Sequence, residues 1–157
     1  MKMTYKEYKM QRQKEFNNLP IFFAFSTDQL EKAMNERGLK LEDTDKIYSF
    51  GSGGFYLRSD ADKIREWVNT PDPIKNLMND YEFAVSAFYY EMKNHEYSIN
   101  PYQGEWEVCS CFGDCEYDDC KTYVDYLKEI GYSENVINAY TKAKDKYWND
   151  AIKYNWF

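Results

Sequence analysis

Between Ile74 and Met92, apolar residues return at three- and four-residue steps: Ile74, Leu77, Met78, Tyr81, Ala84, Val85, Phe88 and Met92. A helix gathers residues spaced in this way onto one face, and so continuous a face must be buried. The stripe predicts a long core helix from Pro73 to about Asn94. Thr70-Pro71-Asp72-Pro73 marks its start, because proline inside a preceding helix removes a donor and clashes with the turn before it.

The other segments supply what can cover that face. Thr4 to about Asn17 reads as a helix ended by Asn17-Asn18-Leu19-Pro20, and its sparse apolar residues (Tyr5, Tyr8, Met10, Phe16) place it at the periphery. Ile21 to Phe25 is a short apolar run bounded by Pro20 and Ser26, as a buried strand would be. Ser26 with Gln29 three residues on has the form of a capping box. The helix it opens carries Leu30, Ala33 and Met34 and stops at Gly38. From Asp45 to Arg58, two runs rich in aromatic and β-branched residues flank Gly51-Ser52-Gly53-Gly54, a hairpin signal. Ser59-Asp60 begins a short helix with Ile64, Trp67 and Val68. Further on, Glu105-Trp106-Glu107-Val108 alternates like a half-buried strand, and Gly113-Asp114 offers a reversal. Asp119 to Ile130 (Tyr123, Tyr126, Leu127, Ile130) reads as helix, stopping at Gly131. Ser133-Glu134 opens a last helix with Val136, Ile137, Tyr140, Tyr147 and Trp148.

These elements predict an α+β fold: a small, mainly antiparallel sheet from the Phe22 and Ile47 to Leu57 segments, covered by helices, foremost the one from Pro73 to Asn94, with a helical C-terminus. A length of 157 residues suits a single domain over 1–157. With 43% hydrophobic residues and only 7 glycines and 4 prolines, the composition is that of an ordered chain. The 16 tyrosines suit a core whose edges stay wet, or an interface. No run is apolar enough to span a bilayer, and Met1-Lys2-Met3-Thr4 has no signal-peptide character. The expectation is a cytoplasmic protein with reduced thiols.

Three strings occur together: Phe22-Phe23-Ala24-Phe25-Ser26, then Asp45-Lys46-Ile47-Tyr48-Ser49-Phe50-Gly51-Ser52-Gly53-Gly54-Phe55, then Asn94-His95-Glu96-Tyr97. Over roughly Met10 to Ser98 the chain resembles a family of small uncharacterised proteins from Gram-positive bacteria, their phages and mobile elements. The resemblance brings no established activity. It implies that residues 101–120 are a cysteine-bearing insertion, and it points toward host-interaction roles, among them inhibition of bacterial defence.

All four cysteines fall in that insertion, as Cys109, Cys111, Cys115 and Cys120. They form the candidate metal site, with zinc as the cofactor they would hold. A Cys-x-Cys pair in a strand would turn Cys109 and Cys111 to one face, with Cys115 and Cys120 approaching across the turn. The spacing is not the usual two-residue knuckle, and the surrounding side chains are acidic, which favours free thiols packed beside Trp106 and Phe112. A disulfide in oxidised protein is the third reading. Acidic surroundings also disfavour a nucleophilic thiolate. The single histidine, His95, reads as a hydrogen-bonded residue at the end of the core helix, too little for a catalytic triad. Gly51-Ser52-Gly53-Gly54 leads into a strand rather than a helix, so it is a turn and not a phosphate cradle. No catalytic constellation is recognisable, so a non-enzymatic role is expected.

Charge points to a partner. The formal net charge is −7, and from Glu105 to Glu129 eight acids face only Lys121 and Lys128. Such a segment repels phosphate backbones and attracts basic protein surfaces. The expected function is an acidic binding protein of phage or mobile-element type that docks a basic surface, such as a nucleic-acid-handling defence complex, with no direct nucleic-acid binding through its acidic face and no membrane partner. The candidate contact residues are Tyr102, Trp106, Tyr117, Tyr123 and Tyr126 as anchors, with Glu105, Glu107, Asp114, Glu116, Asp118, Asp119 and Asp125 for steering. The alternative is a small zinc-binding or thiol redox module, and an enzyme on a small substrate ranks third.

Overall fold

A computed structural model describes residues 2–98, 101–113 and 122–157, with the backbone alone for 101–103. The chain partitions into two compact units, Met1–Met10 with Asp72–Phe157 and Gln11–Pro71, the boundary falling within helix α1 (Tyr5–Asn17). The architecture is α+β, with one three-stranded antiparallel sheet among the described residues.

The Gln11–Pro71 unit holds the sheet, in the order β1 (Ile21–Phe23), β3 (Gly54–Leu57), β2 (Ile47–Gly51). Phe22 pairs with Phe55 and Ile47 with Leu57, which puts these four on one face. Helix α2 (Thr27–Asn35) covers that face with Leu30, Ala33 and the fully buried Met34. Its ends follow the local chemistry. Ser26 accepts from the Gln29 N–H, and Gln29 Oε1 accepts from the Phe25 N–H at 2.8 Å, one residue earlier than in a strict capping box. At the other end Gly38 takes φ +72°, while the Leu39 N–H reaches the Met34 carbonyl at 2.9 Å, a Schellman closure. The β2–β3 turn runs Gly51, Ser52, Gly53 with φ of +92°, +49° and +79°. Gly53 is doubly constrained, since a Cβ there would stand 2.4 Å from the Phe25 ring. On the other face, Phe50 and Trp67 of α3 (Ala61–Asn69) meet Phe16 at 6.2 and 5.7 Å.

The second unit is helical. The stretch expected as one helix is two: α4 (Ile74–Leu77) and α5 (Tyr81–Asn94). Asp80 ends the first and caps the second, its side chain accepting from the Phe83 N–H at 3.0 Å. The partner of α5 is also not the expected one. Its stripe packs on α8 (Glu134–Tyr154), the most extensive contact between helices among the described residues, while α2 covers the sheet. Alanines 139, 143 and 151 on the buried face of α8 permit that close approach. The aromatic centre is Phe88, edge-on to Phe112 at 5.0 Å and to Tyr140 at 5.4 Å. At the C-terminal end Asn155 is left-handed and Trp156 docks on Tyr147 at 5.5 Å, whereas Tyr154 and Phe157 stay exposed.

The segment expected as a strand around Glu105–Val108 is helix α6 (Pro101–Ser110). Alternation over four residues lost to a longer helical spacing. Val108, Cys109 and Phe112 stand three, four and seven residues beyond Glu105, and all three are buried in the core. Gly104 lets α6 approach Tyr97, whose Cα would lie 3.1 Å from an added Cβ. Helix α7 (Tyr123–Glu129) follows, opened by a capping box in which Thr122 and Asp125 bond reciprocally.

Candidate functional site

The clearest polar constellation lies where α5 ends beside the end of α6. A four-residue step carries Glu91 of α5 to His95, the C-cap of that helix, and the same step carries Glu107 of α6 to Cys111, just past its end. The left-handed residue Glu96 (φ +48°) then turns the chain, with the Tyr97 N–H closing on the Met92 carbonyl at 3.0 Å. Helix α6 ends with the Phe112 N–H bonded to the Cys109 carbonyl at 3.0 Å, which leaves Cys111 just past its last turn.

Four side chains converge there. His95 Nε2 is 3.5 Å from Cys111 Sγ and 3.4 Å from Glu91 Oε2. The other ring nitrogen, Nδ1, is 3.4 Å from Glu107 Oε2. The Cys111 thiol donates to the Glu107 carbonyl at 3.3 Å. One ligand-capable atom each from Glu91, His95 and Cys111 lies within 4.8 Å of the other two. Glu91 is the buried wall, 1% exposed, while His95 and Glu107 keep 29% and 39% of their side-chain surface and open the site to solvent.

Helix α1 completes the surroundings. The Tyr5 hydroxyl donates to Glu91 Oε1 at 2.7 Å and the Lys9 ammonium at 2.9 Å, while Asn94 Nδ2 donates to Oε2 at 3.2 Å. Burial alone would raise the Glu91 carboxyl, but the bonds from Lys9 and Tyr5 and the Lys9 charge outweigh it and hold it below the usual carboxylate range. Burial, with the neighbouring Glu91 carboxylate, pushes the Cys111 thiol up to about 12. Cys111 is therefore a protonated thiol at neutral pH and a poor nucleophile.

A second carboxylate is satisfied internally. Glu105 Oε1 accepts from Tyr140 at 2.6 Å, Tyr97 at 2.9 Å and Lys144 at 3.0 Å. These bonds outweigh its burial and keep the carboxyl below its ordinary range.

The residues read from the sequence as a site are dispersed. Cys109 lies in the last turn of α6 and Cys111 just past it, so the two do not face together as they would in a strand. Cys109 is buried and disulfide-bonded, whereas Cys111 is free beside His95. Cys115 and Cys120 lie outside the described residues, as do Asp114, Glu116, Tyr117, Asp118, Asp119 and the side chain of Tyr102. Of the expected anchors, Tyr123 and Tyr126 are core, 2% and 9% exposed, and Trp106 packs half-buried against the Tyr126 ring at 5.9 Å. Their apolar faces are used by the helical packing and offer a partner little surface. Glu105 is bonded internally, Glu107 faces His95, and Asp125 caps α7 from an exposed position. Three residues of the constellation were not read from sequence: Tyr5 and Lys9, which meet it only through folding, and Glu91. Glu91 did leave a signal, a carboxylate on the buried stripe between Phe88 and Met92, four residues before the only histidine.

A family of unknown function, DUF7659, matches residues 4–105, about two thirds of the chain, and the chain belongs to that family. The matched span includes Tyr5, Lys9, Glu91 and His95, while Glu107 and Cys111 come from beyond it. No curated protein and no solved structure matches. Among the described residues, no helix is long and apolar enough to cross a membrane.

Proposed function

We propose that this member of the DUF7659 family is a small metal-binding protein that takes one divalent transition-metal ion, zinc by its donor set, on Glu91, His95 and Cys111. One nitrogen, one sulfur and one carboxylate oxygen are ligands that zinc accepts together. The observation that carries the reading is the spacing of the donors. Ligands roughly 2.0–2.3 Å from a tetrahedral zinc stand roughly 3.3–3.8 Å from each other. The Nε2–Sγ and Nε2–Oε2 separations, 3.5 and 3.4 Å, fall on that edge length without rearrangement. Glu107 supports it from the far side of the ring: its carboxylate, 3.4 Å from Nδ1, is placed to take the proton of that nitrogen in a hydrogen bond once Nε2 holds a metal.

An ion seated there would outweigh the burial and the Glu91 charge that keep Cys111 protonated and would convert the thiol to thiolate, so uptake would release a proton. It also ties the end of α5 to the end of α6. Three protein ligands leave the fourth position to solvent, which suits reversible uptake. The test is calorimetric titration of the metal-free protein with zinc, beside thermal melts. One equivalent bound with a raised melting temperature is expected, and His95→Ala and Cys111→Ala should each abolish both. Absence of uptake by folded wild-type protein would refute the reading.

A second reading is docking of a basic protein surface, such as a host defence nuclease, by an acidic protein of phage or mobile-element origin. It rests on the net charge of −7 and on the exposed carboxylates Asp125 and Glu129 at α7. Reversing both to lysine should slow association with such a partner at low salt. An unchanged on-rate would remove this surface from the contact.

A further inference from the structure

Glu91 faces two cation positions at once. Its Oε2 looks toward His95 and Cys111, while its Oε1 already holds the Lys9 ammonium at 2.9 Å. That ammonium is well seated: its nitrogen is also 5.7 Å from the Tyr5 ring centre and 5.3 Å from the Tyr90 ring centre. The Tyr5 hydroxyl, bonded to the same oxygen, closes the arrangement. We propose that Lys9 is a resident counter-cation that sets the affinity of the Glu91–His95–Cys111 site, occupying one oxygen of the shared carboxylate and opposing an ion that arrives at the other. This rests on the metal-binding reading above.

Both halves follow from one geometry. A carboxylate as buried as Glu91 is costly without a positive partner, and Lys9 at 2.9 Å is that partner. An ion bound at Oε2 would share that carboxylate with the ammonium and stand within a few ångströms of it. Two positive charges so close repel even where solvent reaches both and weakens the effect. Among the described residues, Glu107 is a further charged group at the site, against the Nδ1 side of His95. Lys9, seated on the carboxylate, therefore lowers affinity from α1, an element that supplies none of the three ligands. Helix α1 becomes the element that tunes a site built by two others.

The experiment measures zinc affinity of the full chain by competition with a chromophoric chelator, for wild type, Lys9→Gln and Lys9→Arg. Glutamine keeps a donor for Oε1 and removes the charge, so Lys9→Gln should bind zinc about tenfold tighter or more. Lys9→Arg, with the charge kept, should stay near wild type. A merely structural role for Lys9 would weaken binding in Lys9→Gln or leave it unchanged, and either result overturns the proposal while metal binding itself stands. Absence of zinc uptake by wild type and Lys9→Gln alike would end both readings. If Lys9→Gln does not fold alone, zinc should restore its cooperative melt, and failure to do so also overturns the proposal.

Discussion

The pairing of Lys9 with Glu91 has a consequence for stability in metal-free protein that a double-mutant cycle can read. Removing one partner of a buried ion pair costs about 3–5 kcal/mol, because the other charge is left uncompensated. Here the burial is one-sided: the Glu91 side chain is 1% exposed and that of Lys9 42%. Water reaches the ammonium, so screening puts Lys9→Met at about 2–3 kcal/mol. Glu91→Met frees an ammonium that can turn to solvent, but it strands the Tyr5 hydroxyl on a residue 4% exposed, at about 1–3 kcal/mol. Once Glu91 is gone, Lys9→Met removes a charge with nothing left to neutralise. The double variant should therefore be about as stable as Glu91→Met alone, a coupling of about 2–3 kcal/mol. Urea denaturation in chelator, followed by tryptophan fluorescence, measures all four proteins. If Lys9→Met costs the same in both backgrounds, the two side chains act independently and the electrostatic account of this site is wrong.

Three further outcomes follow. Cys111→Ser should lower zinc affinity, whereas Cys115→Ser and Cys120→Ser should leave the stoichiometry unchanged; loss of binding in all three, measured by metal analysis after gel filtration, would restore the four-thiolate site. Phe88→Ala removes a fully buried ring in edge contact with Phe112 and Tyr140 and should cost about 3–5 kcal/mol in urea denaturation, a change well under that placing the ring in a site that collapses freely. The Glu105 carboxyl is held low when folded, its hydrogen bonds from Tyr140, Lys144 and Tyr97 overcoming its burial, so its contribution is complete above its unfolded value and is lost as pH falls through the folded one. Glu105→Gln should accordingly be less stable than wild type at neutral pH and converge on it in acid, and a gap that persists at low pH would show the effect to be steric.

Local chemistry accounts for what was legible in the chain. Helix α2 begins at Ser26 and ends at Gly38 because a side-chain acceptor and a left-handed glycine are needed at just those places. The hairpin from Ile47 to Leu57 follows from two pleated runs around glycines that tolerate positive φ. The stripe from Ile74 to Met92 announced a buried helix, and a single capping residue, Asp80, divided it. Membership of an uncharacterised family was legible too, from strings that the matched span contains.

The stretch around Glu105 was not decided locally. Its four alternating residues satisfy a strand, and its eight-residue spacing satisfies a helix; burial of Val108, Cys109 and Phe112 on Phe88 and its neighbours selected the second. That choice carried the candidate site with it. In a strand Cys109 and Cys111 would face together, but in a helix one goes to the core and the other meets His95. The tyrosines expected at the surface, Tyr123 and Tyr126, went inward for the same reason. Outside that stretch, the sequence by itself determined which short segments are helix or strand, since caps, turns and periodicity act over a few residues. Only the tertiary structure decided that Lys9, Glu91, His95 and Cys111 share one cluster, because packing and Coulomb forces depend on distance in space, and the first and last of these residues are 102 positions apart in the chain.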